Sequence, residues 1–217
     1  MQIYYIILLS ELLEKEVATY CLKVHNSKKI IEYKLMGVVG MKVVKFGGSS
    51  LASGEQLRKV HRIVTGDPER KIVVVSAPGK RHPEDDKVTD LLIECANSYL
   101  KHGECGEQAE ALLARYRSIA DDLDLSESIM GTITEDLYRV LEGDRQNPEK
   151  YMDAVKASGE DNNAKLIAAY FRSMGTEAHY VNPLDAGLFV SDEPGNAQVL
   201  PESYDNLLKL KERDGII

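Results

Sequence analysis

Two short apolar runs, separated by a helical pattern, dominate the first half of the chain. Residues 42–46 end at a glycine pair and residues 71–77 end at Pro-Gly, and both runs are rich in valine. Continuous apolar runs with β-branched residues are typical of strands that are buried on both faces. Between them, Ser53 precedes Gln56 at capping-box spacing, which predicts the start of a helix. Strand, helix and strand together predict a right-handed parallel crossover.

The rest of the chain is predicted to be mostly helical. Apolar residues at helical spacing predict a helix from Lys87 and a packed pair of helices that forms an insertion at about residues 104–143. A further helix is predicted to begin at Ser158, whose hydroxyl can cap it. The remaining predictions are a strand at 177–182, a turn at 185–187, a short strand at 188–190 and an amphipathic helix at 202–213. This alternation predicts an α/β protein.

Composition and charge narrow the function classes. The chain has 217 residues, of which 43% are hydrophobic and 29% are charged, which is enough for one sizeable domain. A net charge of −8 argues against nucleic acid as a partner, because phosphates select basic surfaces. The cysteines Cys21, Cys95 and Cys105 have no metal-ligand spacing. We therefore expect a reduced, cytoplasmic protein without a protein-bound metal site.

Residues 1–40 differ in character from the chain that follows. The apolar run at residues 3–9 is too short to span a bilayer. Acidic residues follow it directly, where a signal peptide needs small residues for cleavage. We therefore expect an amino-terminal extension that is poorly integrated with the fold, and no membrane association.

The candidate chemistry lies where the two predicted strands end. Lys45 and Ser76 come at the carboxyl ends of their strands, which is where open α/β sheets bind ligands. Gly47 and Gly48 follow Lys45, and glycine lets backbone N–H groups approach a phosphate closely. A glycine pair after a strand also fits a simple tight turn beside a solvated lysine. The residues alone leave both interpretations open.

Two separated motifs resemble those of one enzyme family. Residues 44–50, Val-Lys-Phe-Gly-Gly-Ser-Ser, resemble the opening Lys-Phe-Gly-Gly-(Ser/Thr)-Ser signature of aspartate kinases, in the amino acid kinase superfamily. Residues 158–171 resemble the second signature of that family, Ser-x-Gly-Glu followed by a helix of small residues. From Met41 onward the chain is similar to the front part of the lysine-sensitive aspartate kinases of some Gram-positive bacteria. Two motifs in the right order are more specific than either motif alone.

The resemblance implies both a fold and a reaction. The fold is the three-layer α/β/α amino acid kinase fold with a mainly parallel sheet. The reaction transfers the γ-phosphoryl group of ATP to the side-chain carboxylate of L-aspartate and gives 4-phospho-L-aspartate. This is the first step of lysine, methionine and threonine biosynthesis. The implied cofactors are ATP and Mg²⁺, and full-length members of the family are expected to be homo-oligomers.

The resemblance also implies roles for individual residues. Lys45 would stabilise charge on the transferring phosphoryl group, and Thr89 and Glu160 would bind aspartate. Acidic Glu160 suits the ammonium group of that substrate, although a glutamate early in a helix is also favoured by the helix dipole. The ATP phosphates would be bound by Lys45, Gly47, Gly48, Ser49 and Ser76.

The resemblance covers only the first part of the family's length. The chain stops at Ile217, where relatives continue into an Arg-Gly-Gly-Ser-Asp segment and later into regulatory ACT domains. We therefore expect residues 41–217 to be the amino-terminal, aspartate-binding part of the kinase domain, incomplete at the carboxyl end and inactive alone. An incomplete sheet leaves an open strand edge, which favours self-association.

Two alternatives stay open at this point. The first is another amino acid kinase that acts on glutamate or acetylglutamate. The second is a non-enzymatic subunit or fragment that binds an intact kinase. Substrate competition would separate the first alternative from an aspartate kinase, and co-purification with a full-length kinase chain would favour the second.

Overall fold

The computed structural model describes residues 18–25, 28–35 and 41–217, with the backbone alone for the first two segments. Its strands form one sheet in the order β1-β2-β3-β4. These strands are β1 (Ala18–His25), β2 (Lys28–Leu35), β3 (Lys42–Phe46) and β4 (Arg70–Val75). The apolar run at residues 3–9, which we predicted to be too short for a membrane span, lies outside the described residues.

The predicted strand–helix–strand unit is confirmed. β3 pairs in parallel with β4, and helix α1 (Gly54–Thr65) connects the two strands. The hydroxyl of Ser53 accepts a hydrogen bond from the Gln56 amide at 3.4 Å, so the predicted cap is present. A short 3₁₀ turn, Gly48–Ser50, lies between β3 and α1. The crossover therefore brings the ends of β3 and β4 together at one edge of the sheet.

The extension joins this sheet. β1 and β2 form an antiparallel hairpin, and β2 pairs antiparallel with β3 along Ile31 to Lys34. The expectation that residues 1–40 integrate poorly with the fold is wrong for these two strands. The physical reason is that β3 would otherwise present a row of unpaired N–H and C=O groups at a sheet edge. Pairings with the extension are antiparallel, whereas β3 and β4 are parallel.

β4 is less buried than its apolar sequence predicts. All six of its residues are partly exposed, although Val73 and Val75 pack against the main core. Residues 72–75 also line a cavity. The prediction of a fully buried second strand is therefore wrong, because part of the strand borders open space instead of packed side chains.

Four helices complete the core around the sheet. They are α2 (Val88–His102), α3 (Gly106–Asp122), α4 (Glu127–Leu141) and α5 (Pro148–Ser173). The core combines their apolar faces with β3 and α1, and its largest fully buried side chains include Phe46, Leu57, Leu92, Leu112, Ile133 and Phe171. The α/β class predicted from the sequence is confirmed.

Helix α5 begins earlier than predicted. Asn147 caps it by accepting hydrogen bonds from the amides of Glu149 and Lys150, and Pro148 occupies its first position. Ser158 lies inside the helix, where its hydroxyl donates to the Val155 carbonyl at 2.7 Å. The predicted helix start at Ser158 is therefore wrong. Asn-Pro at a helix start is a recognisable signal, because proline lacks only an N–H that has no helical partner there.

The carboxyl-terminal region contains fewer regular elements than predicted. Residues 177–182 form only a bridge between Ala178 and Ile216, and residues 188–190 only a bridge between Val190 and Val199. The predicted strands at these positions are wrong, because each pairs at a single residue. Ile217 exchanges hydrogen bonds with β4, at 2.7 and 2.8 Å.

The turn predicted at residues 185–187 is present, and the helix predicted at 202–213 is divided. Gly187 ends the turn with a positive φ of 80°. Helix α6 (Glu202–Leu208) is followed by a 3₁₀ turn, Lys209–Glu212. Within the described part of the chain, no helix combines the length and the apolar character that a membrane crossing needs.

Candidate active site

The parallel strands bring Lys45 and Ser76 to one place. Lys45 is paired opposite Val74, and the amide of Ser76 donates to the carbonyl of Phe46 at 3.2 Å. Lys45, Ser76 and Glu160 all line a cavity of about 520 Å³. The structure therefore brings together three of the residues predicted for the site, from two strands and a helix that lie far apart in sequence.

Lys45 and Glu160 interact electrostatically across this cavity. Partial burial lowers the pKa of the Lys45 ammonium, and the negative charge of Glu160 opposes that effect. The site therefore contains a partly desolvated cation, Lys45, and a nearby carboxylate, Glu160. Such a pair can hold a zwitterionic ligand between opposite charges.

The glycine turn after β3 (residues 47–50, the first turn) contacts the one after β4 (residues 76–79, the second turn). The amide of Gly79 donates to the carbonyl of Gly48 at 2.9 Å. A Cβ atom on Gly48 would lie 2.8 Å from the Ala77 carbonyl oxygen, and one on Gly79 would lie 2.6 Å from the Gly48 carbonyl carbon. Only glycine fits at either position, because the neighbouring atoms belong to the backbone and cannot move aside.

The position of Glu160 depends on close packing of the residue before it. A Cβ atom on Gly159 would lie 2.7 Å from Leu92 and 3.1 Å from Ala77, so glycine lets α5 approach α2 and the end of β4. The hydroxyl of Tyr116 donates to the Gly159 carbonyl at 2.9 Å, and burial raises the pKa of that hydroxyl. Glu160 therefore projects from the middle of a helix, not from a helix end as the sequence predicted.

The other predicted residues are absent from the lining of the cavity. Gly47, Gly48 and Ser49 lie in the first glycine turn, and Thr89 is partly exposed near the start of helix α2. The amide of Val88 donates to the Pro78 carbonyl at 3.1 Å, which ties the start of α2, and with it Thr89, to the second turn. Their roles as phosphate-binding and aspartate-binding residues stay predictions.

A polar network in the cavity was missed by sequence reasoning. The carboxylate of Asp161 accepts hydrogen bonds from Tyr180, from Asn182 and from Lys165, the last two at 3.1 and 2.6 Å. Burial, with the bond to Asp161, raises the pKa of Tyr180 to about 12. This network ties α5 to residues 180–182 beside Glu160. Its only sequence signal is the spacing of Asp161 and Lys165, which suits a helical ion pair.

Asn163 is a second residue that the sequence did not single out. It is completely buried, and its Nδ2 donates to the carbonyl of Ser76 at 2.6 Å. Because Ser76 begins the turn after β4, this bond joins α5 directly to the site. A polar residue at a fully buried position is costly unless it has a partner, which suggests a specific positioning role.

A charged cluster holds the loop that follows the second turn. Asp85 is 8% exposed and accepts bonds from the backbone amide, Nε and Nη2 of Arg81 at 2.8, 2.8 and 2.6 Å. The bond with Arg81 is the main reason that the pKa of Asp85 lies well below its usual range. Asp85 is therefore an ionised anchor in the loop.

We expect Asp85→Asn to remove an acid-dependent part of the stability. Because folding lowers the pKa of Asp85, its contribution is present above the ordinary aspartate pKa of about 3.9 and is lost as the pH falls below it. The unfolding free energy of Asp85→Asn should lie about 1–3 kcal/mol below that of the original chain at neutral pH. The difference should shrink in acid. Urea denaturation at several pH values measures it, and the neighbouring exposed Asp86→Asn is the control. A difference independent of pH would contradict the anchor role.

Metal ligands are not clustered in the part of the chain that the structure describes. No group of three or more His, Cys, Asp or Glu side chains there could hold a metal ion. Cys95 and Cys105 are buried free thiols. Burial raises the pKa of both thiols, which makes them poor nucleophiles.

Comparison with known proteins identifies the family. The profile described as "Amino acid kinase family" matches residues 40–217. The chain belongs to the amino acid kinase family.

Two curated relatives are informative. This amino acid kinase chain is 69% identical over 177 residues to Aspartokinase 3 of Bacillus subtilis, a match that covers 82% of this chain and 39% of that protein. It is 26% identical over 166 residues to the chloroplastic Aspartokinase 2 of Arabidopsis thaliana, a match that covers 75% of this chain and 30% of that protein.

Solved structures agree with the family. The aspartate kinase of Clostridium acetobutylicum is 33% identical with a TM-score of 0.52, and the match covers 59% of this chain and 28% of that one. E. coli aspartokinase III in complex with aspartate and ADP has a TM-score of 0.63, and the match covers 79% of this chain and 38% of that one. At 21% identity this second likeness shows the fold alone. The amino acid kinase chain thus spans less than half the length of the relatives it matches.

Proposed function

We propose that this chain is the aspartate-binding part of an aspartate kinase. The reaction transfers the γ-phosphoryl group of ATP to the side-chain carboxylate of L-aspartate and gives 4-phospho-L-aspartate. The observation that carries the proposal is the pairing of Lys45 and Glu160 on one cavity, beside two glycine turns. The identity of 69% to Aspartokinase 3 of Bacillus subtilis supports aspartate over other substrates of the family.

The substrate's own chemistry explains why few catalytic groups are needed. The side-chain carboxylate of aspartate is ionised at neutral pH, so no general base is required. One of its oxygens forms a bond to the γ-phosphorus while the bond from that phosphorus to the ADP oxygen breaks. Catalysis then depends on positioning the two groups and on neutralising the charge that they bring together.

Different residues would bind the two substrates. Glu160 would bind the ammonium group of aspartate, and the Thr89 hydroxyl would help orient it. Lys45 would neutralise charge on the transferring phosphoryl group, with Ser76 shaping the same pocket. The first turn suits a phosphate, because glycine lets backbone N–H groups approach a ligand closely. The bonds inside this turn use the amides of Ser50 and Leu51, and the amides of Gly47 and Gly48 take no part in them.

Mg²⁺ would reach this site with the nucleotide. Magnesium binds with few protein carboxylates and relies on phosphate oxygens and water, which fits a site without an acidic cluster among the described residues. When bound, the ion would supply charge neutralisation on the phosphates. Ser49, exposed at the first turn, is the further phosphate ligand that we propose.

Titration calorimetry with L-aspartate tests the substrate assignment. We expect weak binding by the purified chain, and at least roughly tenfold weaker binding in Glu160→Gln, because the change removes a charge-assisted hydrogen bond to the ammonium group. N-Acetyl-L-aspartate, which has no ammonium group, should not bind. Glu149→Gln is the matched control, because Glu149 is an exposed residue in the first turn of the same helix.

Three outcomes would contradict the proposal. Equal affinity of the original chain and Glu160→Gln would remove Glu160 from the site. Preference for L-glutamate or for an acetylated amino acid would indicate a different amino acid kinase. Absence of heat from a chain that still unfolds cooperatively would mean that residues 1–217 do not form an aspartate site.

A further inference from the structure

Arg115 is a buried arginine outside the cavity. It lies in α3, within the apolar stripe that includes Leu112 and Tyr116, and it is 4% exposed. A charged residue among buried apolar ones is unusual, because removing a guanidinium from water is costly. Its position therefore needs an explanation beyond the packing of α3.

The guanidinium group contacts the second glycine turn and the segment that follows the first. Its Nη2 donates to the carbonyl of Ala52, just after the first turn, and to the carbonyl of Gly79 in the second turn, at 2.8 Å in each case. The two turns also meet directly through the bond from the Gly79 amide to the Gly48 carbonyl. Arg115 thus joins the two chain segments that lie on either side of this contact.

In the described part of the chain, a single carboxylate, that of Asp85, lies close to the charge of Arg115. The carboxylate of Asp85 lies 3.5 Å from Nη2, and Arg81 holds that carboxylate in place. The Nε and Nη1 atoms of Arg115 are buried without a hydrogen-bond partner among the described residues. Buried unsatisfied donors reduce stability, so an apolar side chain of similar length would serve the packing of α3 better.

We infer that Arg115 is a positioning residue that holds the two glycine turns at a fixed separation, so that the first turn presents its amides to a phosphate group. This inference rests on the proposed function, in which that turn binds the ATP phosphates. The helix pair that includes α3 then contributes to the site, although neither of its helices supplies a predicted ligand.

Hydrogen exchange of the whole 217-residue chain tests the role of Arg115. In Arg115→Met we expect the amides of the two turns, Gly79 above all, to exchange roughly tenfold faster or more, since their closed state loses its support. Amides in the middle of α5 should keep their rates. Arg115→Lys should restore part of the protection, because an ammonium group can also donate to the Ala52 and Gly79 carbonyls.

The control is Arg117→Met on the same helix. Arg117 is exposed and pairs with Glu127, so its loss should leave exchange at the turns unchanged. Unchanged turn exchange in Arg115→Met would overturn the inference. A uniform rise over the whole chain would also overturn it, because it would show a purely structural role. If Arg115→Met does not fold, the same comparison is made with Arg115→Lys, where a smaller rise at the turns is expected.

A second readout separates this inference from the proposed function. Tripolyphosphate is titrated into the chain while the amide signals of Gly47, Gly48 and Gly79 are followed by NMR. We expect them to shift, and we expect at least roughly tenfold weaker binding in Arg115→Met but not in Arg117→Met. If no signal shifts in the original chain, the phosphate-binding part of the proposed function fails. The exchange experiment still decides whether Arg115 holds the turns.

Discussion

Replacing Gly79 with alanine is expected to lower the unfolding free energy by about 3 kcal/mol, at the upper end of overpacking substitutions. The added Cβ atom would lie 2.6 Å from the carbonyl carbon of Gly48 and 2.8 Å from the amide nitrogen of Ser49. Both atoms are backbone atoms in the first turn, so relief requires the two turns to separate. Urea denaturation followed by circular dichroism measures the change in free energy.

Gly131→Ala is the matched control for this substitution. Gly131 lies inside α4 with nothing within 4 Å of an added Cβ atom. Alanine there should raise the unfolding free energy by up to about 1 kcal/mol, because glycine is a poor helix former. The same chemical change is therefore expected to lower the unfolding free energy at Gly79 and to raise it at Gly131. A Gly79→Ala chain as stable as the original would show that the two turns are not in contact.

Replacing Asn163 with aspartate is expected to lower the unfolding free energy by about 3–5 kcal/mol at neutral pH. The two side chains have nearly the same shape, so packing is preserved. Asn163 is fully buried, and its Nδ2 donates to the Ser76 carbonyl. An ionised carboxylate would face that carbonyl oxygen with no donor between them. The loss should therefore come from charge and not from volume.

The pH dependence of this variant distinguishes charge from misfolding. Burial disfavours the ionised carboxyl, so its pKa would rise in the folded state, and the loss of stability should grow as the pH rises above the ordinary value of about 3.9. At lower pH the neutral carboxyl can donate to Ser76, and much of the stability should return. Urea denaturation at acidic and neutral pH measures both limits.

Asn147→Asp is the control for Asn163→Asp. Asn147 caps α5, where its Oδ1 accepts bonds from the Glu149 and Lys150 amides, both at 3.1 Å. Aspartate makes the same bonds and interacts favourably with the helix dipole, so stability should change by less than about 0.5 kcal/mol or rise slightly. Equal effects of the two substitutions would contradict the contact between Asn163 and Ser76.

The local features of the fold were predictable from the sequence. The valine-rich runs and the glycine pair predicted β3, β4 and the turn, and the spacing of Ser53 and Gln56 predicted the start of α1. These features depend on residues a few positions apart, so a short window contains their cause. The start of α5 was also local, but Asn147-Pro148 was overlooked in favour of Ser158.

The candidate site was predictable only in part. Lys45 and Ser76 were identified from their places at the ends of two predicted strands and Glu160 through a family motif, and the structure places all three on one cavity. Arg115 and Asn163 were not identified, because their roles come from partners on distant segments. Arg115 gave one signal, a charge inside an apolar stripe, which indicates burial but not its partners.

The sequence by itself determined the α/β class, the parallel unit of β3 and β4, the family, and Lys45 and Glu160 as candidate residues of the site. Only the tertiary structure decided that β2 pairs with β3, that the turns at Gly48 and Gly79 touch, and that buried polar groups from α3 and α5 hold them. The physical reason is the range of the forces involved. Backbone preference and hydrophobic periodicity act between near neighbours, whereas a buried hydrogen bond exists only after packing has brought its donor and acceptor within about 3 Å.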